Sequence, residues 1–287
     1  MSGVRSMLLL HKRTNASALA ASRDVSAWLS QHGVACHALD AEAGGEDIRA
    51  AASGCDAVLV LGGDGTMLGV ARRLHGLGVP VLGMNFGRVG FLNELPPDNW
   101  AAGLESLLRG EWLVERHIAL QWRIGMPDGK PRAQGIAVND VVLAHGMVAR
   151  TVAARLSIDG VPFSNLRGDG LIVGTPLGST AYTASAGGPL AMPSLKTMLL
   201  TPICPFGGGF SPLVLPCASQ IRLDDCATGN PAVVSVDGQE DYPLEPGEML
   251  EVTGMEDGLL MLVSSPHWYL RRLLARGIVA PGPGPRD

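Results

Sequence analysis

Basic charge is scarce in this chain. Its 22 lysines and arginines face 27 aspartates and glutamates, a formal net charge of −5 over 287 residues. That balance excludes a broad electrostatic grip on nucleic acid or an anionic membrane, so any phosphate must be held locally. Long apolar runs are missing too. Met7 to Leu10 is too short for a spanning helix or a signal-peptide core, and no later run reaches eighteen residues; a soluble, cytoplasmic protein with no membrane partner is expected. The cysteines, Cys36, Cys55, Cys204, Cys217 and Cys226, are odd in number and form no CxxC pair, so reduced thiols are expected rather than a disulfide framework. The seven histidines make no HExxH pattern, which leaves a structural zinc without ligands. A Gly-x-Ser-x-Gly elbow is also absent, and with it any motif support for a hydrolase.

What the chain has in quantity is apolar material: 46% of residues are hydrophobic and only 17% charged, the composition of a well-buried globular protein. Its length exceeds that of a usual single core, so two domains are expected. Short apolar runs alternate with helical patterns in the first third: Met7 to Leu10, Ala18 to Leu29, Gly33 to Ala38, Ala57 to Leu61, Met67 to Leu74, Val79 to Met84. This is the βαβ rhythm of an open parallel sheet. From about Trp112 strand-like runs take over, at Ile118 to Ile124, Ile136 to Leu143, Val152 to Ile158, Val233 to Val236, Leu250 to Thr253 and Leu259 to Val263. The dipeptides Asp128-Gly129, Asp159-Gly160, Asp237-Gly238 and Asp257-Gly258 suit tight antiparallel turns. His267 to Arg276 predicts a final amphipathic helix, which the Pro-Gly alternation from Pro281 cannot continue.

The segment richest in chemistry runs from the apolar Ala57-Val58-Leu59-Val60-Leu61 into Gly62-Gly63-Asp64-Gly65-Thr66 and then a helical pattern. Glycines permit close backbone approach to a ligand, and the free amides of a helix start suit an anion. Neither the Walker pattern nor GxGxxG fits. Asp64 sets this loop apart: a carboxylate beside phosphates is unfavourable unless a metal bridges them or it receives a proton from a reacting hydroxyl. Both explanations point to phosphoryl transfer. The bland alternative makes Asp64 and Thr66 turn and helix-cap residues.

At these residues the chain resembles a family. Gly62-Gly63-Asp64-Gly65-Thr66 is similar to the GGDGT signature of NAD kinases, diacylglycerol and sphingosine kinases and, in related form, 6-phosphofructokinases. Later segments resemble the NAD kinases alone: Asn85 to Leu92, Asn139-Asp140-Val141-Val142-Leu143, Gly168 to Tyr182, Ser185-Ala186-Gly187-Gly188-Pro189, Leu200 to Pro205, and Val236-Asp237-Gly238-Gln239. The resemblance spans most of the chain in the family's order. It implies an NAD kinase/diacylglycerol kinase-like fold: an α/β domain with an open parallel sheet over residues 1–112, a mainly β dinucleotide-binding domain over 113–264, a helix over 265–280 packing back on the first domain, and a disordered tail over 281–287.

The implied activity is ATP-dependent phosphorylation of the adenosine-ribose 2′-hydroxyl of NAD, with Mg²⁺ or another divalent metal accompanying ATP. Asp64 resembles the catalytic base. Gly63, Gly65, Thr66 and Phe91 fall at binding positions, as do Asn139 and Asp140, Asp169, the stretch Thr180-Ala181-Tyr182-Thr183-Ala184-Ser185, and Gln239. Arg150 stands at a position often basic near the dinucleotide, and Arg167 at one where NAD-specific members have arginine. The resemblance further implies a homodimer or homotetramer. Three departures stand out: Asp140 replaces glutamate, Leu177 replaces threonine, and Phe206-Gly207-Gly208-Gly209 replaces a common His-Ser. The alternatives are a lipid or other small-hydroxyl kinase using the same loop, and a dinucleotide-binding regulator without catalysis.

Overall fold

The computed structural model describes residues 3–87, 90–146, 151–207, 209–226 and 232–280. The expected site residue Arg150, the expected disordered tail and Gly208 lie outside them. The chain divides into one unit of residues 1–115 and 260–287 and a second of residues 116–259.

The first unit begins β1 (Ser6–His11), α1 (Ala16–Gln31), β2 (Ala35–Asp40), α2 (Gly45–Ala52), β3 (Ala57–Gly62), α3 (Asp64–Leu74), β4 (Val81–Asn85) and α4 (Trp100–Leu108). Its strands pair in parallel in the order β2-β1-β3-β4. Parallel sheets need cover on both faces, and the sequence supplies it: every residue from Met7 to Leu10 and from Ala57 to Leu61 is fully buried. Met7, Leu9, Leu59, Leu61, Leu82 and Met84 form one face, against Ala18, Val25 and Leu29 of α1 and Leu104 and Leu107 of α4. Helix α1 starts because the Asn15 side chain accepts the Ala18 amide at 3.0 Å. It stops at Gly33, whose φ of +74° turns the chain back so that Val34 donates to Leu29.

Strand β5 (Leu113–Gly125) begins in the first unit and continues in the second, which holds β6 (Ala133–Ala137), β7 (Asp140–His145), β8 (Val152–Ile158), β9 (Val161–Gly168), β10 (Gly170–Gly174), a 3₁₀ turn (Leu177–Thr180), α5 (Tyr182–Ser185), β11 (Thr197–Ile203), β12 (Leu213–Pro216), β13 (Gln220–Asp224), β14 (Ala232–Val236) and β15 (Glu240–Leu244). Strands β12-β11-β10-β7-β14-β15 form an antiparallel sheet. The apolar residues of β7, β10, β11 and β14 join those of β5, β8 and β13 in one core. Asp159 and Gly160, with φ of +51° and +77°, make the two-residue turn between β8 and β9. The long β16 (Met249–Val263) pairs with β13 near its start and with β4 through Met261 at its end, and α6 (Trp268–Ala275) follows.

Two expectations are corrected. The run Ile136 to Leu143 is two strands, because the amides of Val138, Asn139 and Asp140 leave the ladder for the carboxylate of Asp237. Asp257-Gly258 is no turn but lies inside β16. Asp257 takes φ +54° there, and a side chain at Gly258 would strike Ala119 at 2.3 Å. Leu59 is fully buried in the strand that leads into the glycine loop. Leu59→Ala is expected to lower the unfolding free energy by about 2–5 kcal/mol, read as a lower urea midpoint.

Candidate active site

Strand β3 ends in Gly62, and α3 begins at Asp64 with Gly63 as a cap that offers no side chain. The Thr66 side chain folds back over Gly62, where an added Cβ would lie 2.7 Å from it. A Cβ on Gly87 would lie 3.0 Å from the Gly63 Cα, so the loop and the segment after β4 meet backbone to backbone. Glycine at position 87 leaves room for this approach, whereas a Cβ on Gly63 would make only an ordinary contact, 3.5 Å from the Gly87 Cα.

The carboxylate of Asp64 does not cap its own helix. Oδ2 accepts the Phe91 amide at 2.7 Å, and Oδ1 accepts the Leu92 amide at 3.1 Å and the Asn93 side-chain amide at 2.8 Å. Asn93, with 1% exposure, is a site residue that the sequence reading missed. Its only signal was a polar side chain directly after the apolar Phe91-Leu92. The segment is anchored where Leu95 bridges Met84 beside β4. The Phe91 ring is buried edge-on against Trp268 and Tyr269, so this residue meets the loop through its backbone.

In the second unit the expected residues fall into two groups along β10. Asn139 and Asp140 sit at one end, where Gly174 pairs with Asp140. Asp237 holds all three amides of the strand break, the shortest contact being 2.7 Å to Asn139. Thr175 closes the other side, its hydroxyl donating to the Val138 carbonyl at 2.6 Å and accepting the Gly178 amide at 3.0 Å. A Cβ on Gly178 would lie 2.3 Å from the Asn139 carbonyl oxygen, so the Leu177–Thr180 turn packs directly on the Asn139 backbone. Of the stretch after it, Tyr182 is 44% exposed, whereas Thr183 is fully buried with its hydroxyl towards Gly174. Gln239 is exposed in the turn that follows Asp237. Sequence reasoning saw Asp237 only as a turn residue, because its three partners lie about a hundred positions away.

The second group gathers at the opposite end of β10, four residues away, or about 13 Å at strand rise. Asp169 is exposed, its amide donates to Ile203 at 2.9 Å, and the Cys204 thiol lies against its carboxylate. The Arg167 guanidinium lies 5.8 Å from the Phe206 ring centroid, in cation–π contact. Phe206 therefore gives Arg167 a flat apolar support.

Burial pushes the Asp140 carboxyl up to about 7, with the neighbouring Asp237 charge adding to the effect. An unfolded aspartate titrates near 3.8. Between those values the folded chain keeps a proton that the unfolded chain releases, so this group's contribution to stability is full below pH 4 and is lost as pH rises towards 7. Asp140→Asn is expected to remove that loss. In urea unfolding the variant should gain on the parent by a few kcal/mol between about pH 4 and pH 8; parallel curves would refute a protonated Asp140.

Residues 45–112 match the ATP-NAD kinase N-terminal domain and residues 138–259 the ATP-NAD kinase C-terminal domain. An NAD kinase of Nitratidesulfovibrio vulgaris (strain DP4) is 45% identical over 280 residues, covering 97% of this chain and 93% of that protein. An NAD kinase of Lawsonia intracellularis (strain PHE/MN1-00) is 32% identical, covering 98% of each. An NAD kinase from Archaeoglobus fulgidus, solved in complex with ATP, aligns with a TM-score of 0.74 at 26% identity over 93% of this chain and 96% of that one. Yeast NADH kinase, solved with NADH, has the same fold, with a TM-score of 0.82 at 22% identity over 99% of this chain and 91% of that one. With both family domains matched in order and near full-length relatives at this identity, the chain belongs to the ATP-NAD kinase family.

Proposed function

We infer that this chain is an ATP-dependent NAD kinase, moving the γ-phosphate of ATP to the 2′-hydroxyl of the adenosine ribose of NAD and releasing NADP and ADP. The near full-length identity to NAD kinases carries the activity. The setting of Asp64 supports its role. A carboxylate has about four acceptor positions. Phe91, Leu92 and Asn93 take three of them, and the remaining one, on Oδ2, is offered to the acceptor hydroxyl. Asp64 orients that hydroxyl and takes its proton as the O–P bond forms.

The remaining assignments follow from chemistry. Amides at the start of α3, with Gly63, Gly65 and Thr66, cradle the donor phosphates. Asn139 and Asp140 bind the dinucleotide, and a carboxyl titrating near neutrality can donate to a ribose or adenine acceptor as well as accept. Asp169, Phe91, Thr180 to Ser185 and Gln239 complete the binding positions, and Arg167 biases the site towards NAD over NADH. Arg150 is assigned to a dinucleotide phosphate on sequence alone.

Among the described residues no three His, Cys, Asp or Glu side chains converge as a cage. A Mg²⁺ arriving on ATP would be bonded mainly to phosphate and water. Bound so, the metal would neutralise the donor phosphates. No described helix is long and apolar enough to cross a membrane. We place the enzyme in the cytoplasm, where both substrates are, as a homodimer or homotetramer.

NADP formation from NAD, ATP and Mg²⁺ tests the reading. Asp64→Asn should lower kcat by about 10²- to 10⁴-fold without loss of fold, EDTA should stop turnover of the parent, and NADH should be the poorer acceptor. NAD binding with no turnover in the parent would instead make the chain a regulator.

A further inference from the structure

The hydrogen bonds that hold Asp64 are themselves held by a second layer. Arg272 of α6 donates through Nη1 to the Gly90 carbonyl at 3.4 Å and through Nη2 to the Asn93 carbonyl. Arg276, one helical turn further on, donates to the same Gly90 carbonyl. The Gly90 carbonyl and the Phe91 N–H belong to one peptide group, and that N–H is the 2.7 Å donor to Asp64 Oδ2. A continuous chain therefore runs from two guanidinium groups through one peptide to the carboxylate. The second Arg272 contact, on the Asn93 carbonyl, pins the residue whose side chain is the third donor to Asp64.

We propose that Arg272 and Arg276 are positioning residues for phosphoryl transfer, polarising the Gly90-Phe91 peptide and fixing residues 90–93 so that Asp64 is held in its reactive orientation. The proposal rests on the reading of Asp64 as the group that meets the acceptor hydroxyl. Hydrogen bonds in a chain strengthen one another, by roughly 10–30% per bond, and a cation on the carbonyl end makes the amide end a better donor. Arginine suits the task because its planar fork reaches two carbonyls at once and keeps its charge when partly buried. Burial does push the Arg272 guanidinium down from its ordinary value, Glu94 pushes it up, Arg276 pushes it down and Asp64 pushes it up. That desolvation is a cost that simple docking of α6 does not require. The helix is already seated by Trp268, Tyr269 and Leu273, all buried, while Arg276 is exposed.

The test compares Arg276→Gln, Arg272→Lys, Asp64→Asn and the Arg276→Gln/Asp64→Asn double variant. For each, kcat, KM for NAD, melting temperature and hydrogen exchange at the Phe91 and Leu92 amides are measured. Arg276→Gln, at an exposed position, should fold as the parent does and lose about 10- to 100-fold in kcat, with KM for NAD within about twofold and faster exchange at Phe91. Arg272→Lys cannot span both carbonyls and should lose at least as much. In the Asp64→Asn background, Arg276→Gln should cost little more, since the two act as one unit. Parental kcat and exchange in both arginine variants, with Asp64→Asn inactive, would overturn the positioning role alone. An equal kcat loss from Arg276→Gln with and without Asp64 would also overturn it. Parental turnover of Asp64→Asn would overturn the reading beneath it.

Discussion

Asp64 opens a helix with its carboxylate turned sideways, onto the amides of Phe91 and Leu92 and the side chain of Asn93. Much of the first unit serves that geometry. Strand β3 delivers Asp64 at its end, β4 delivers the segment that donates to it, and the two strands lie side by side in parallel register from Val58 and Val81 to Gly62 and Asn85. Gly87, with no side chain, lets the two exits touch. A negative charge in this setting needs donors, and the fold provides them mostly from main chain, which no side-chain motif advertises.

The second unit applies the same device in another form. Asp237 gathers three consecutive amides at the break between β6 and β7, which sets Asn139 in the break and the buried Asp140 at the first position of β7. A second carboxylate placed beside the first, and buried, keeps its proton to near neutrality. A proton-bearing carboxyl therefore stands beside the carboxylate that gathers the strand-break amides.

Part of this was readable along the chain. The βαβ rhythm of the first third, the glycine loop leading into a helix at Asp64, and the turn at Asp159-Gly160 depend on local periodicity and on φ preferences, and each stands in the structure as expected. Leu250 to Thr253 and Leu259 to Val263 were legible as β, yet Asp257-Gly258 between them was misread. A dipeptide that tolerates positive φ serves a kink within a strand as well as a hairpin, and only the neighbouring strand decides which. The run Ile136 to Leu143 looked continuous because its apolar pattern is continuous; the break comes from Asp237, far along the chain.

The sequence by itself determined the chemistry available: a carboxylate in a glycine loop, an amide-carboxyl pair, arginines near acidic positions, and the order of motifs that marks an NAD kinase. Tertiary structure alone decided what each group touches. The donors to Asp64 lie 27 to 29 residues away, the amides gathered by Asp237 lie 97 to 99 away, and the arginine contacts on Gly90 and Asn93 span 179 to 186. Local propensity acts over a few residues, whereas these bonds form only after sheet pairing and core burial have brought distant backbone groups within 3 Å or so of each other.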